Sequence, residues 1–286
     1  MKKELNLYNA CHNGDVFYSR PLISLLKSKY KINYYHNNQR GLFSDMTDEV
    51  NEYTPLLPRF NHHFKSIDHG DINTWIGLDR AKYLESSNIG CSFENYFNLI
   101  KDLADEYEIN LDIENWNDIL PKVQYEKLPN IDVVKKQMDY IRPRYKKIIL
   151  WSNGNALSGQ SENFDMAPLI HKAAKRNPNY LHLITSLISV EYKLDNILPT
   201  YAITNRHPDL LYLSYISTFC DTIIGRESGP YCFTNVVENI NNENQKYICF
   251  ANHQAGAKWF QERKNPFIWT NNYHPEHIWD TIKNNL

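Results

Sequence analysis

The stretch His12–Leu26, "HNGDVFYSRPLISLL", sits between two strand-like runs, and its reading decides the fold. Before it stands "LNLYNA", short and apolar; after it stands "YKINYYH". Within it, Val16, Leu22, Leu25 and Leu26 recur at roughly helical spacing. Strand, glycine-bearing loop, helix and strand in that order form a βαβ opening, which calls for a parallel sheet. Pro21 lies inside the helical pattern and predicts a helix start there, with Asp15–Arg20 as a looser first turn.

A second unit opens at "KKIILWSNGN", where Lys147–Trp151 has the pattern of a buried strand. A loop rich in Gly, Ser and Asn follows over residues 152–163. Asp165 then reads as the N-cap of a helix "DMAPLIHKAAKR", with Pro168 in its first turn. Beyond it the pattern predicts strands "YLHLITS" and "TYAITN", helix "PDLLYLSYISTF", strand "CDTIIG" and helix "PYCFTNVVENI". Strand "KYICFA" and helices "AGAKWFQER" and "PEHIWDTIKNN" complete the chain. Such alternation predicts a doubly wound α/β domain over residues 146–286, preceded by a Rossmann-like domain over 1–145. In the first half, residues 91–109 carry a periodic apolar face that predicts a helix, and residues 37–75 read as loops or short strands.

Composition narrows the function. Of 286 residues, 42% are hydrophobic and 22% charged, as in a globular protein, and the net charge of -2 lacks the basic footprint of a nucleic-acid binder. The five cysteines are dispersed without a CxxC pair, so neither a disulfide framework nor a structural zinc site is expected. The loop "NHHFKSIDHGD" holds three histidines but matches no zinc spacing, and no metal is expected there. There is no apolar signal core at the N-terminus and no membrane-spanning run. The expected location is cytoplasmic, at the inner face of a membrane if the acceptor is a lipid.

Four places could carry chemistry. In "GRESGPYC" a strand ends and Ser228-Gly229-Pro230 opens a helix, so backbone N–H groups there could hold an anion that Gly229 lets approach closely. Ser228 reads either as N-cap or as a hydroxyl donor, and Glu227 faces the same place. The loop containing Asn153 and Gly154 could donate to a sugar or a diphosphate, or simply connect two elements. Asp15, after His12, Asn13 and Gly14, could serve as a general base or could stabilise the helix dipole. Arg206, in "TNRHPD", is a candidate clamp for a phosphate or carboxylate.

Together "GDVFYSRPLISLL" (Gly14–Leu26) and "DTIIGRESGPYC" (Asp221–Cys232), the latter preceded by "LLYLSYISTFCD", resemble the two signatures of the heptosyltransferase-like glycosyltransferase family 9. Glu227 stands where that family has Asp, Cys232 where it has His, and its basic phosphate loop is not reproduced in residues 152–163. The resemblance implies a GT-B fold, two Rossmann-like domains facing each other across a cleft. It implies inverting, metal-independent transfer of a sugar from a nucleotide-diphosphate sugar to a glycan or glycolipid hydroxyl. Asp15 maps onto the family's base, and Glu227, Ser228, Gly229 and Pro230 map onto the donor site, with Arg206, Asn153 and Gly154 beside it. His12, Asn13 and Gly14 would lie on the acceptor side. The nucleotide sugar enters as substrate and no cofactor is implied. A GT-B protein that binds a nucleotide or glycan without catalysis, and a nucleotide-sugar 2-epimerase, stay open as alternatives.

Overall fold

The computed structural model describes residues 2–9, 12–54, 73–75, 101, 105, 120–157, 159–205 and 210–286. Arg206, the histidine-rich loop 61–71, and nearly all of the helix expected over 91–109 lie outside the described residues. The chain divides into two compact units, Met1–Pro129 and Asn130–Leu286.

The first unit contains β1 (Lys3–Asn9), α1 (Asn13–Tyr18), α2 (Arg20–Leu26), β2 (Tyr30–His36), β3 (Val50–Tyr53) and β4 (Asn73–Trp75). Its parallel sheet runs β3-β2-β1-β4. Leu5, Ile32 and Val50 align across β1, β2 and β3 on a buried face, against which the buried Val16, Leu22, Ile23 and Leu26 supply the helical side. Fully burying each such side chain contributes roughly 1.5–3 kcal/mol. The opposite face carries a row of asparagines in register: Asn6 opposite Asn33, and Asn33 opposite Asn51. Asn33 Nδ2 donates to Asn6 Oδ1 (3.0 Å), and Asn51 Nδ2 donates to Asn33 Oδ1 (2.8 Å).

The single helix expected after β1 is two short ones. Pro21 has no N–H to bond back to Phe17, so the chain breaks at Ser19. Ser19 Oγ donates to Val16 O at 2.7 Å and shares a hydrogen bond with Tyr34 Oη at 2.9 Å. Arg20, buried directly after the break, pairs with Asp45 and donates to Leu42 O and Lys122 O, tying α2 to two distant loops.

The second unit contains α3 (Ile131–Ile141), β5 (Lys147–Ser152), α4 (Ala167–Arg176), β6 (Tyr180–Ile184), β7 (Ile197–Pro199), α5 (Tyr201–Thr204), α6 (Leu210–Ser217) and β8 (Thr222–Arg226). It continues with α7 (Gly229–Cys232), α8 (Val237–Ile240), β9 (Lys246–Phe250), α9 (Gln254–Lys258), β10 (Phe267–Thr270) and α10 (Pro275–Lys283). The sheet is parallel throughout, in the order β10-β9-β8-β5-β6-β7. β8 is buried along its whole length and β5 from Ile148 to Ser152, as parallel strands covered on both faces should be. Trp151, Ile224, Ile248 and Phe250 pack with Ile170 and Ala173 of α4 and with Ile278 and Ile282 of α10.

Several expectations are corrected. The boundary expected at residues 145/146 differs from the division at Pro129 by helix α3, which packs on α5 and α6. Arg142 pairs with Asp221 at 2.9 Å, and Asp221 also accepts from Ile148 N at 2.7 Å, so this segment is anchored to the second unit. "TYAITN" is not a strand. The edge strand is the three residues before it, and Tyr201–Thr204 is one helical turn closed by Asn205 in the left-handed region (φ 52°). The helix expected over 230–240 is broken in two, because Thr234 O is taken by Asn239 Nδ2 (2.8 Å) and Tyr247 Oη (2.7 Å). The helix expected from Ala255 ends at Lys258, followed by Trp259 at φ 56°. No helix among the described residues is long and apolar enough to cross a membrane.

Candidate functional site

In the second sheet the chain leaves β5 for β6 on one side and later returns to place β8 on the other. The carboxyl ends of β5 and β8 therefore flank a topological switch point, where open α/β sheets leave a crevice for ligands. The first sheet has the same property at β1, which lies between β2 and β4, and the segment His12–Asp15 follows its carboxyl end.

At the second switch point the two expected loops meet. Ser152, the last residue of β5, and Ser228, two beyond β8, share an Oγ–Oγ hydrogen bond of 3.2 Å. The approach requires Gly225, since a Cβ there would lie 2.6 Å from Ser152 Cβ. A Cβ on Gly154 would lie 3.2 Å from Ser186 Oγ and 3.9 Å from Pro230 Cγ, so the loop after β5 lies against both. Asn153 clips this loop to the end of β6. Its Oδ1 accepts from Thr185 N (3.0 Å) and Ser186 N (2.9 Å), and its Nδ2 donates to Ser186 O (2.8 Å). The Asn153 side chain is thus committed to holding the loop.

Beside these residues lies a cavity of about 500 Å³, lined by residues 153–155, 163–167 and 186–189 with Tyr192 and Arg226. Arg226, the last residue of β8, is 2% exposed. Its Nη1 donates to Asn153 O (3.2 Å) and Gly154 O (2.6 Å), its Nη2 donates to Phe164 O, and its guanidinium lies 5.0 Å from the Phe164 ring centre. Burial pulls the guanidinium pKa below its ordinary value, while Asp165 and Tyr273 act the other way. Asp165 Oδ1 accepts from Ala167 N at 2.9 Å, which is the capping contact expected at the start of α4.

The segment Glu227–Pro230 departs from the anion site expected at a helix N-terminus. α7 is a single turn of four residues, and Ser228 makes no side-chain cap to it, spending its hydroxyl on Ser152 instead. Glu227 is 7% exposed and lies over α9, where a Cβ on Gly256 would meet its Oε1 at 2.5 Å. Cys232, buried, donates its N–H to Ser228 O at 2.9 Å.

In the first unit Asp15 stands in the first turn of α1, half-buried, and its Oδ2 accepts from His12 N at 3.1 Å. The carboxylate therefore holds the start of the helix. Gly14 is buried, His12 is exposed, and Asn13 Oδ1 is buried without a partner among the described residues. The arrangement brings Asn153, Gly154, Ser228 and Pro230 together and adds Ser152, Ser186 and Arg226. Arg226 was legible only as a cation one residue beyond a strand glycine. Ser186 was assigned to the β6 strand and carried no separate signal. No group of metal-ligating side chains occurs among the described residues.

No family model matches this chain, and no curated protein sequence does. Solved structures do. A glycosyltransferase of family 9 from Veillonella parvula is similar over 100% of this chain and 92% of its own, with a TM-score of 0.54 at 12% identity. The fold is that of the GT-B glycosyltransferases. A second GT-B neighbour, E. coli heptosyltransferase WaaC solved with ADP-2-deoxy-2-fluoro heptose, is similar over 99% of this chain and 100% of its own, with a TM-score of 0.55 at 8% identity. Each of the two likenesses spans both units of this chain.

Proposed function

We propose that the chain is a glycosyltransferase of the heptosyltransferase type, taking a sugar from a nucleotide-diphosphate donor to the hydroxyl of a glycan or glycolipid. One observation carries the reading. The loop at Glu227–Pro230, singled out by its resemblance to family 9, and the Gly- and Asn-bearing loop at Asn153-Gly154 converge on the switch point of a GT-B sheet. The V. parvula and E. coli structures support it through their fold and through the nucleotide sugar analogue bound by the latter protein.

In the proposed reaction the acceptor oxygen attacks the anomeric carbon of the donor. The bond from that carbon to the diphosphate oxygen breaks, and the nucleoside diphosphate leaves with the bonding electrons. Asp15 takes the hydroxyl proton, so attack and departure on opposite faces invert the centre without a metal. The second unit binds the donor, with Ser228 and Gly154 beside the diphosphate and Glu227 toward its sugars. Exclusion of water protects the donor from hydrolysis. An acceptor on a lipid would bring the protein to a membrane surface, on the cytoplasmic side where nucleotide sugars are made.

The test is Asp15→Asn. An asparagine keeps an oxygen for His12 N, so the helix start survives and only the base is lost. Turnover falling by a factor of ~10²–10⁴ with an unchanged unfolding midpoint supports the base; unchanged turnover removes it. The bond from His12 N favours a second reading, in which Asp15 is structural and the chain binds nucleotide sugars without transferring them. Binding without turnover for any acceptor selects that reading.

A further inference from the structure

The cavity beside β5 contains a contradiction in charge. Arg226 is 2% exposed, yet it forms no ion pair among the described residues. It donates only to the carbonyls of Asn153, Gly154 and Phe164, and its Nε is buried with no partner. Carbonyls satisfy N–H groups but carry no net charge, and the opposing influence of Asp165 and Tyr273 offsets the cost of burying this cation only in part. Arg20 in the first unit shows the usual solution, since its equally buried guanidinium is paired with Asp45.

The cavity wall around Arg226 offers donors and little to compete with them. The N–H groups of Gly154 and Asn155 and the Ser186 hydroxyl make no hydrogen bond among the described residues, and all three residues line the cavity. Successive free backbone N–H groups beside a cation form an anion-binding concavity. The carboxylate in the wall, Asp165, is exposed and engaged at the start of α4.

We propose that Arg226 is the counter-charge for an anionic phosphoryl group bound in this cavity, held by Gly154 N–H, Asn155 N–H and Ser186 Oγ. Its substrate class is the diphosphate of a nucleotide donor, so the proposal deepens the reading above. It moves the phosphate charge from the one-turn helix α7 to the β5 side of the switch point. Arg226 thereby supplies, from β8, the cation that the loop 152–163 lacks, since that loop contains no lysine or arginine.

Inorganic pyrophosphate, titrated into the full chain by calorimetry and by the Nε–H resonance of Arg226, tests this directly. Binding is expected to weaken with salt and to move that resonance. Arg226→Lys, which keeps a charge but loses the planar fork, should weaken pyrophosphate at least about 10-fold. Asp165→Asn keeps the oxygen that accepts from Ala167 N and removes a negative charge from the wall, so it should tighten binding by about 2–5-fold even if the Arg226 variant does not fold. No pyrophosphate binding at millimolar concentration overturns the proposal, as does binding indifferent to Asp165→Asn. Pyrophosphate binding with these signs but no nucleotide-sugar turnover would sink the transferase reading alone. Turnover and donor affinity unchanged in Arg226→Lys would sink this proposal alone.

Discussion

Ser152 and Ser228, 76 residues apart, share one hydrogen bond of 3.2 Å, and Gly225 makes it geometrically possible. β5, which ends at Ser152, and β8, which ends two residues before Ser228, pair directly, with Ser152 opposite Gly225. Gly225→Ala would place a methyl group 2.6 Å from Ser152 Cβ, with the Ser152 carbonyl at 3.1 Å. The expected cost is about 1–3 kcal/mol, since both neighbours belong to buried central strands. Denaturant midpoints should show it, and Ser152→Gly in the same chain should recover part of the loss. Strict additivity of the two substitutions would refute the contact as its cause.

Glu227 and Gly256 form a related pair with a different outcome. A Cβ at Gly256 meets the carboxylate oxygens, which are the mobile end of a side chain, so Gly256→Ala should cost little stability. It should instead displace the carboxylate. If Glu227 contacts the donor's sugars, donor affinity falls several-fold at a nearly unchanged unfolding temperature, which calorimetric titration with a nucleotide sugar would reveal. Affinity equal to that of the parent chain would detach Glu227 from the donor.

His182 gives the second unit a pH dependence. It is fully buried in β6, its Nδ1 accepts from Trp151 Nε1 at 2.9 Å, and its Nε2 has no partner among the described residues. Desolvation lowers its pKa from 6.5 to about 4. Because the folded chain resists protonation more than the unfolded one, this contribution is intact above pH 6.5. It is lost progressively as pH falls from 6.5 toward 4, by about 3 kcal/mol in all. Urea midpoints at pH 7.5 and 5 should differ, and His182→Gln should flatten the difference. An unchanged slope in that variant would mean that other groups carry it.

Arg20→Met should destabilise the first unit by about 3–5 kcal/mol, because it strands the buried Asp45 carboxylate. Replacing Asp45 by Asn in the same chain should restore part of that loss. Circular dichroism during denaturation of the parent chain and the two variants measures it, and a loss below about 1 kcal/mol would show that Asp45 finds water instead.

The sequence disclosed the elements that obey periodicity and the junctions that use glycine. β1, β2, β5, β8 and β9 fall close to where their apolar runs placed them, and both glycine-bearing loops lie at carboxyl ends of strands beside a switch point. Elements ruled by tertiary contacts were not visible. Nothing local announces that Thr234 O would be claimed by Asn239 and Tyr247, which ends the helix at Cys232. β10, "FIWT", is a four-residue edge strand after a proline, too short for its pattern to stand out. Arg226 escaped notice for a different reason. A charged residue in a loop pattern suggests a solvated side chain, and only the burial of β8 along its length reverses that.

The asparagine row of the first sheet also governs how that sheet can go wrong. Parallel strands with few long apolar runs can slide past one another, and a slip of one position exchanges their faces. Here such a slip would set the amides of Asn6, Asn33 and Asn51 opposite leucine, isoleucine and tyrosine. Each buried amide left unpaired would cost about 1–3 kcal/mol. The amides thus act as a key cut for a single alignment, and the carboxyl end of β1, from which the chain runs to Asp15, is held at one height relative to its neighbours.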